Sequence, residues 1–359
     1  MTAGSRLSFK ATVDPSTLSP ILMSTDKKNW TPISWTKEHS DIDGDYWMST
    51  LSDNKDSNKR YFMRDSEVPI GFGSDAGIEI GYTTYHTNPS FKLGGNINSL
   101  LCKNFSTLTD ISGLDKCFFS FMDQFVVTNI DELLLPSKQI GLSCYWIFAA
   151  GYTNALSSAR FTIDVEDIPS YGCYRMLYDS DGIVNGPKFP NLKSIGDRGL
   201  AEAFKGCSSL TSVELPSTPI SVGTYGCNYA FSESGIKTVE NLSLSGIGST
   251  GCTNMFKNCS ALEKVDGLSA KGLSASALAG MFLDCTSLTA VQNLYIDNGE
   301  DKNATASKCD SMFENCNSLL SVGGLIKGLY GARQLRYMFR NCKSLKDASK
   351  LSIEINYGQ

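Results

Sequence analysis

Twelve cysteines and two histidines are the residues of this chain best able to bind a metal or to form covalent bonds. A structural zinc site needs cysteine and histidine ligands at short, regular spacing. The sequence has no Cys-x-x-Cys, and both histidines, His39 and His86, precede the cysteine-rich part. Cys252 and Cys259 are about two turns apart on a predicted helix, roughly 10 Å, which is too far for a disulfide. We therefore predict that the cysteines are reduced, buried and free of metal.

His39 is followed by a run of aspartates, Asp41, Asp43 and Asp45, which has the spacing of a cation-binding loop. A calcium loop of this kind also needs a glutamate at a fixed later position, and the sequence has none there. We therefore interpret this stretch as a solvated loop without a metal.

Catalytic motifs are missing from the larger part of the chain. Nucleophilic catalysis by serine or cysteine needs a histidine near the nucleophile, and residues 94–359 contain no histidine. No Gly-x-Gly-x-x-Gly and no phosphate-binding loop of the Walker type occurs. We predict that the protein is not an enzyme and that it uses no cofactor.

The element that positions most of the cysteines changes its apolar period halfway along. Cys252, Met255, Phe256 and Cys259 are spaced at i, i+3, i+4 and i+7, which is typical of one face of a helix. The residues around Val265 then alternate between apolar and charged, which is typical of a strand. The stretch therefore predicts one helix followed by one strand.

This unit recurs along the chain as Phe-x-x-Cys-x-x-Leu. Its anchor positions are 102, 121, 148, 177, 204, 231, 256, 282, 313 and 339, which are 19 to 31 residues apart and mostly 25 to 27. The copies at Phe121, Phe148 and Leu177 are weaker, and in the first copy, Cys102 to Ile111, the aromatic residue and the cysteine have exchanged places. The copy at Phe231 has Ser234 in place of cysteine and lacks one residue before Val239. The predicted repeat core is Phe204, Cys207, Leu210, Phe256, Cys259, Leu262, Phe282, Cys285, Leu288, Phe313, Cys316, Leu319, Phe339, Cys342 and Leu345. About ten copies at one period predict a solenoid.

Residues 1–93 lack the repeat. Alternation in 7–13, two short apolar runs around the polar turn 26–28, and apolar runs in 59–64 and 79–86 predict a small antiparallel β-domain. We place the junction at Gly94–Gly95, so that the predicted domains are 1–93 and 94–359.

Composition excludes several classes of partner. With 41% hydrophobic residues the chain is expected to fold, and its net charge of −5 without a basic patch argues against nucleic acid. No apolar run approaches the ~20 residues that span a bilayer, so we expect no membrane insertion. The first ten residues have no apolar segment typical of a signal peptide.

Acidic residues recur at one position of the predicted concave face. Glu214, Glu240 and Asp266 each follow the inward valine of a predicted strand, in three consecutive repeats. Three neighbouring carboxylates ~4.8 Å apart would repel one another. This leaves two interpretations, a solvated acidic face or a site for a basic or cation-bridged partner. The candidate ligand-binding residues are Glu166, Glu214, Glu240, Lys264, Asp266 and Gln292.

The motif Met-Phe-x-x-Cys-x-x-Leu, with Leu-Pro-Ser after several strands, resembles the BspA-like leucine-rich repeats. Residues 7–11, 23–30, 59–64 and 95–101 resemble the β-module that precedes such repeats in proteins of gut Bacteroidota and their phages. The resemblance implies an α/β solenoid, a leucine-rich-repeat-type stack of helix-strand units with a parallel concave sheet, preceded by a small antiparallel β-domain. It also implies binding to host proteins, matrix or cell surfaces, without a shared catalytic site.

The expected function is therefore recognition or adhesion. Without a signal peptide, the predicted setting is a phage virion, at the tail, neck or head surface, where the protein contacts the bacterial host. The alternatives are a bacterial cell-surface adhesin and a purely structural virion assembly protein. Expected partners are a host cell-surface protein or glycan and other virion proteins, and the N-terminal domain is the candidate surface for any homo-oligomer.

Overall fold

The computed structural model describes residues 7–11, 14–25, 27–41, 44–50, 61–71, 78–82, 91–121, 127–150, 158–299, 307–330 and 332–355. Short 3-10 helices occur at Pro15–Thr17, Ile97–Leu100 and Ala332–Leu335. The other regular elements of these residues are β-strands.

The N-terminal strands form two antiparallel sheets. They are β1 (Leu7–Ala11), β2 (Ile21–Ser24), β3 (Thr31–Pro32), β4 (Thr36–Asp41), β5 (Gly44–Thr50), β6 (Tyr61–Arg64) and β7 (Ile78–Tyr82). One sheet has the order β4-β5-β1-β7 and the other the order β3-β2-β6. The buried guanidinium of Arg64, at the end of β6, donates to the Leu100 carbonyl at 3.2 Å and so connects the second sheet to the following part of the chain.

The rest of the chain is a solenoid of parallel strands, as predicted from the repeat. Its first strand crosses the predicted boundary at 93/94. The strands are β8 (Phe91–Asn96), β9 (Asp110–Ile111), β10 (Val127–Leu135), β11 (Gln139–Ile140), β12 (Thr162–Ile163), β13 (Asp167–Ile168), β14 (Asn185–Lys188), β15 (Ser194–Ile195), β16 (Ser212–Glu214), β17 (Ile220–Val222), β18 (Thr238–Glu240), β19 (Ser243–Ile247), β20 (Lys264–Asp266), β21 (Ser269–Leu273), β22 (Ala290–Asp297), β23 (Ser321–Leu329) and β24 (Asp347–Ile355).

Each rung of the solenoid contains a first strand, a second strand and a turn segment. The even-numbered strands from β8 to β16 are first strands, and they form one parallel sheet. The odd-numbered strands from β9 to β21 are second strands, and they form another sheet. At β22 this second sheet continues into the first strands β20 and β18. From β22 onward one long strand replaces the pair. The turn segments are 115–120, 142–149, 170–179, 197–206, 224–233, 249–258, 275–284, 310–315 and 336–341.

The turn segments occupy the places where the sequence predicted helices, and that prediction is wrong. In segment 249–258 every fourth residue has a left-handed backbone conformation, with φ of 58° at Thr250, 56° at Asn254 and 59° at Asn258. An α-helix needs right-handed φ throughout. The Phe256 amide instead donates to Met281 in the next rung at 2.8 Å, and the Cys259 amide donates three residues back to Phe256 at 3.2 Å. Turns and rung-to-rung bonds therefore replace helical bonds.

The core is a stack of phenylalanine rings. The rings of Phe204, Phe231, Phe256, Phe282, Phe313 and Phe339 follow one another with centroids 5.1 to 5.6 Å apart. The predicted repeat core is buried in this stack, except that Phe339, Cys342 and Leu345 are half-buried. They belong to the last rung of the described residues.

Close backbone contact between rungs requires glycine where several turn segments begin. A Cβ placed on Gly248 would lie 2.7 Å from the Gly223 carbonyl carbon and 2.7 Å from the Thr224 nitrogen. Side-chain carbon atoms do not approach backbone atoms so closely, so only glycine allows the rungs to stack at this spacing.

Candidate functional site

The first-strand face carries the predicted ligand-binding residues of the later rungs. Glu240 of β18 is the register partner of Asp266 in β20, which is in turn the register partner of Gln292 in β22. Alternation within these strands turns Val239 and Val265 into the core and leaves the flanking polar residues outside. The geometry thus brings together Glu240, Asp266 and Gln292.

Asp266 is neutralised locally. Its Oδ2 lies 2.8 Å from the Lys264 Nζ, and its Oδ1 accepts from the Asn293 side-chain amide at 2.7 Å. The hydrogen bond from Lys264, and then that from Asn293, lowers the pKa of Asp266 below its usual value. The repulsion expected from neighbouring carboxylates is therefore relieved at this rung.

Two of the predicted residues lie outside this row. Glu214 belongs to β16, in the other first-strand sheet, and pairs with Lys188 at 2.7 Å. Glu166 precedes the second strand β13, where Lys193 bonds its carboxylate at 2.6 Å and lowers its pKa. Pro169 follows a second strand whereas Pro216 follows a first strand, so Pro-Ser does not mark a fixed place in the rung and Glu166 does not align with Glu214.

The row ends at Glu240 because the first-strand ladder is interrupted there. Within the described residues no backbone hydrogen bond joins β16 to β18. The one-residue deletion before Val239 shortens this rung and is the sequence signal that accompanies the gap. A cleft of about 340 Å³ occupies it.

The cleft combines an apolar floor with a carboxylate rim. Its floor includes Phe231, Ile236 and Leu242, and its rim includes Glu214 and Glu240. Among the described carboxylates of the predicted row, Glu240 is the one without a side-chain partner. An apolar pocket beside an exposed carboxylate can hold an aliphatic chain that ends in a cation. The floor residues could not be identified from the sequence, because their neighbours across the gap depend on the missing strand pairing.

The cysteines have a structural role that the sequence only partly indicated. The thiol of Cys285 donates to the Phe256 carbonyl at 3.1 Å, and the thiol of Cys316 donates to the Phe282 carbonyl at 3.2 Å. Burial raises the pKa of Cys207 to about 12 and that of Cys259 to about 11. These thiols therefore stay protonated near neutral pH, where a thiolate would be needed for metal binding or nucleophilic attack.

The described ranges contain no group of three or more His, Cys, Asp or Glu side chains arranged to hold a metal ion. The side chains of His39, Asp41, Asp43, Asp45 and His86 lie outside the described residues. No helix in the part of the chain that the structure describes has the length and hydrophobicity of a membrane span.

Comparison with known proteins returns no matching family model and no matching curated protein. Two solved structures are similar in part. A leucine rich cell surface protein from Faecalibacterium prausnitzii A2-165 is 13% identical, with a TM-score of 0.25 over 72% of this chain and 73% of that chain. A leucine-rich repeat protein from Bacteroides ovatus ATCC 8483 is 18% identical, with a TM-score of 0.21 over 58% of this chain and 67% of that chain. Both are leucine-rich repeat proteins, the class that the repeat motif resembles. With TM-scores this low, the assignment of the solenoid rests on the strand register of this chain.

Proposed function

We propose that this protein is a non-catalytic recognition or adhesion protein whose first-strand face binds a surface partner. The observation that carries the proposal is the register of β18, β20 and β22, which fixes Glu240, Asp266 and Gln292 in one line beside an apolar cleft. A stacked solenoid offers such a surface with little ordering on binding, which favours affinity.

The proposed ligand is a basic group of a cell-surface protein or glycan. A lysine or arginine side chain would place its aliphatic part against the floor formed by Ile236 and Leu242 and its charge next to Glu240. Asp266 is already occupied by Lys264, so Glu240 is the residue on which we expect binding to depend.

The proposed setting is a phage virion, at its tail, neck or head surface, where the protein meets the bacterial host. All twelve cysteines are free and eleven are buried, which suits synthesis in a reducing cytoplasm. A bacterial cell-surface adhesin is the alternative, and a structural virion assembly protein is the second alternative. Mass spectrometry of purified particles, compared with protease shaving of intact cells, separates the virion settings from the cell surface.

The binding test compares Glu240→Lys with Glu263→Lys. Both residues are exposed, and Glu263 lies outside the cleft. Fluorescently labelled protein is added to intact Bacteroidota cells, and bound fluorescence is measured by flow cytometry. We expect at least a tenfold loss for Glu240→Lys at an unchanged Tm, and no loss for the control. Equal binding by both variants and the parent would remove the cleft from the proposal, and absence of binding to any cell would contradict adhesion.

A further inference from the structure

A second surface, on the turn segments, carries aromatic and basic side chains in one continuous stack. The indole of Trp146 stacks on the ring of Tyr171, with centroids 5.4 Å apart. The guanidinium of Arg198 follows, with its central carbon 5.9 Å from the ring centroid of Tyr171 and 4.5 Å from that of Tyr225. These four residues, each contributed by a different rung, are called the arginine stack.

A shorter stack lies beside the first. The Nζ of Lys205 is 5.8 Å from the ring centroid of Tyr178 and 5.5 Å from that of Tyr229. Asp179 and Lys205 interact electrostatically at longer range, and within the described residues their side chains form no ion pair. Two cations of one rung are thus each held between tyrosines of the rungs before and after.

Arg198 differs from the other arginines that pack on tyrosine rings. Arg175 is paired with Glu202 at 2.8 Å, and Arg336 is paired with Asp310 at 3.3 Å. Within the described residues Arg198 has ring contacts and no ion pair. Rings on two sides of a guanidinium restrict its position, and a guanidinium without an ion pair has N–H groups available for bidentate bonds to a carboxylate.

The backbone under the stack adds an independent observation. Tyr171, Arg198 and Tyr225 all have left-handed φ, between 55° and 57°. Such φ values are unfavourable for bulky residues and favour asparagine, aspartate and glycine. Thr250 and Ser276 have left-handed φ at the corresponding positions of the next two rungs. The middle rungs therefore carry large aromatic and basic side chains where the next rungs carry smaller ones.

We propose that the arginine stack, with Lys205 beside it, is a binding surface for an acidic segment of a partner protein, with Arg198 as its central anchor. Tryptophan, tyrosine and arginine are the residue types that dominate binding energy at protein interfaces. Tyrosine rings held by their neighbours also lose little conformational freedom on binding. The inference rests on the proposed recognition function, and it adds a second site that selects the opposite charge from the Glu240 cleft.

The arrangement of the rings favours protein over the other polyanions of a cell surface. Trp146 and Arg198 lie over the ring of Tyr171 from the rungs before and after, and Arg198 also lies over one face of Tyr225. A sugar ring or a nucleobase needs an open aromatic face on which to stack, and the central ring of the stack, Tyr171, offers none. Ring edges, tyrosine hydroxyls and a preorganised guanidinium instead match the carboxylates and backbone groups of a peptide.

The test uses two fluorescein-labelled twelve-residue peptides, one of glutamate, aspartate and tyrosine and one with every acid replaced by its amide. Binding to the full chain is followed by fluorescence anisotropy. We expect the acidic peptide to bind at least tenfold more tightly than the amide peptide, and more weakly as salt rises. Arg198→Gln should reduce the affinity at least tenfold. Arg198→Lys should reduce it severalfold, because an ammonium group cannot donate the two parallel hydrogen bonds that a guanidinium gives to a carboxylate. Arg336→Gln is the matched control and should bind as the parent does.

Three outcomes would overturn the proposal. The parent could bind both peptides equally, or Arg198→Gln could lower Tm while leaving peptide affinity unchanged, which would make the stack purely structural. Polygalacturonate could also compete as strongly as the acidic peptide, which would assign the surface to acidic polysaccharide. Arg198→Lys keeps the charge and the aliphatic stem, so it serves as the test if Arg198→Gln does not fold. Binding of whole cells through Glu240 is measured separately, so failure of one site leaves the other open.

Discussion

The ring of Phe282 lies parallel to the ring of Phe313, with centroids 5.4 Å apart and planes inclined by 2°. Phe256 packs on its other face at the same distance. The repeat register accounts for this relationship, because Phe256, Phe282 and Phe313 occupy the same position in successive repeats. Phe282 is therefore enclosed by identical neighbours, and its removal leaves a void that neither neighbouring rung can fill without breaking its own stacking.

Phe282→Ala should lower the free energy of unfolding by ~3–5 kcal/mol through loss of burial and cavity formation. Phe339→Ala should cost clearly less, because that ring is half-buried and, within the described residues, stacks on Phe313 alone. Urea unfolding followed by circular dichroism measures both. Equal losses for the two variants would be inconsistent with this account of the stack.

The buried thiols should make the protein sensitive to alkali. Their ordinary pKa is near 9, and burial raises that of Cys207 to about 12 and that of Cys259 to about 11. Between these values the unfolded chain has released protons that the folded chain retains, so stability is complete below pH 9 and falls as pH rises. Each such thiol should remove about 1.4 kcal/mol per pH unit in this window. Unfolding measured at pH 8, 9 and 10 gives the slope.

Cys259→Ser is the control for that slope. Serine does not titrate in this range, and Ser234 already stands at the cysteine position of the preceding repeat. The variant should show a shallower loss of stability with pH than the parent. An identical slope would assign the alkaline sensitivity to other groups. At pH 8 the native parent should also react slowly with a thiol reagent, compared with the unfolded chain.

Gly248→Ala should destabilise the solenoid by about 1–3 kcal/mol, because the new methyl group meets backbone atoms of the preceding rung that cannot move independently. Gly113→Ala is the matched control, since a Cβ at Gly113 has no atom within 4 Å. Thermal unfolding of both variants provides the comparison. A Gly248→Ala protein as stable as the control would show that the rungs tolerate wider spacing there.

Lys264→Met should raise the pKa of Asp266, because Lys264 is the main cause of its lowered value. The hydrogen bond from Asn293 remains in this variant, so the rise in the Asp266 pKa should be partial. The double variant Lys264→Met, Asn293→Ala removes both hydrogen bonds and should raise the pKa further. NMR titration of the Asp266 carboxyl carbon measures the change. The matched variant Lys193→Met acts on Glu166 and should leave Asp266 unchanged.

The repeat determines much of the fold from sequence, because its register places the phenylalanines and cysteines in columns. The predicted helices failed for a physical reason. Apolar residues at Cys252, Met255, Phe256 and Cys259 fit a period of 3.6 and a chain of four-residue turns equally well over so short a stretch. Asparagine four residues apart, at Asn254 and Asn258, was the available signal, since asparagine tolerates left-handed φ.

The candidate site was only partly predictable. Glu240, Asp266 and Gln292 follow from the alternation of their strands, which the repeat fixes. Glu214 does not, because its separation from Glu240 depends on whether β16 and β18 form hydrogen bonds. The arginine stack was missed altogether, since ring contacts between rungs arise from residues 25 to 27 apart whose side chains show no apolar period.

The interrupted ladder gives the solenoid a mechanical weak point. The rungs of β18 and β20 are joined by first strands, second strands and turn segments. Within the described residues, the boundary between β16 and β18 has no first-strand pairing and is held by the β17–β19 pairing, the turn segments and one bond from the Gly235 amide to the Cys207 carbonyl. A pull along the solenoid axis, such as shear on an attached surface protein, should open this boundary first. The rungs would then part as two blocks, each with its own intact ladders, and extension would begin with one large step at the Glu240 cleft.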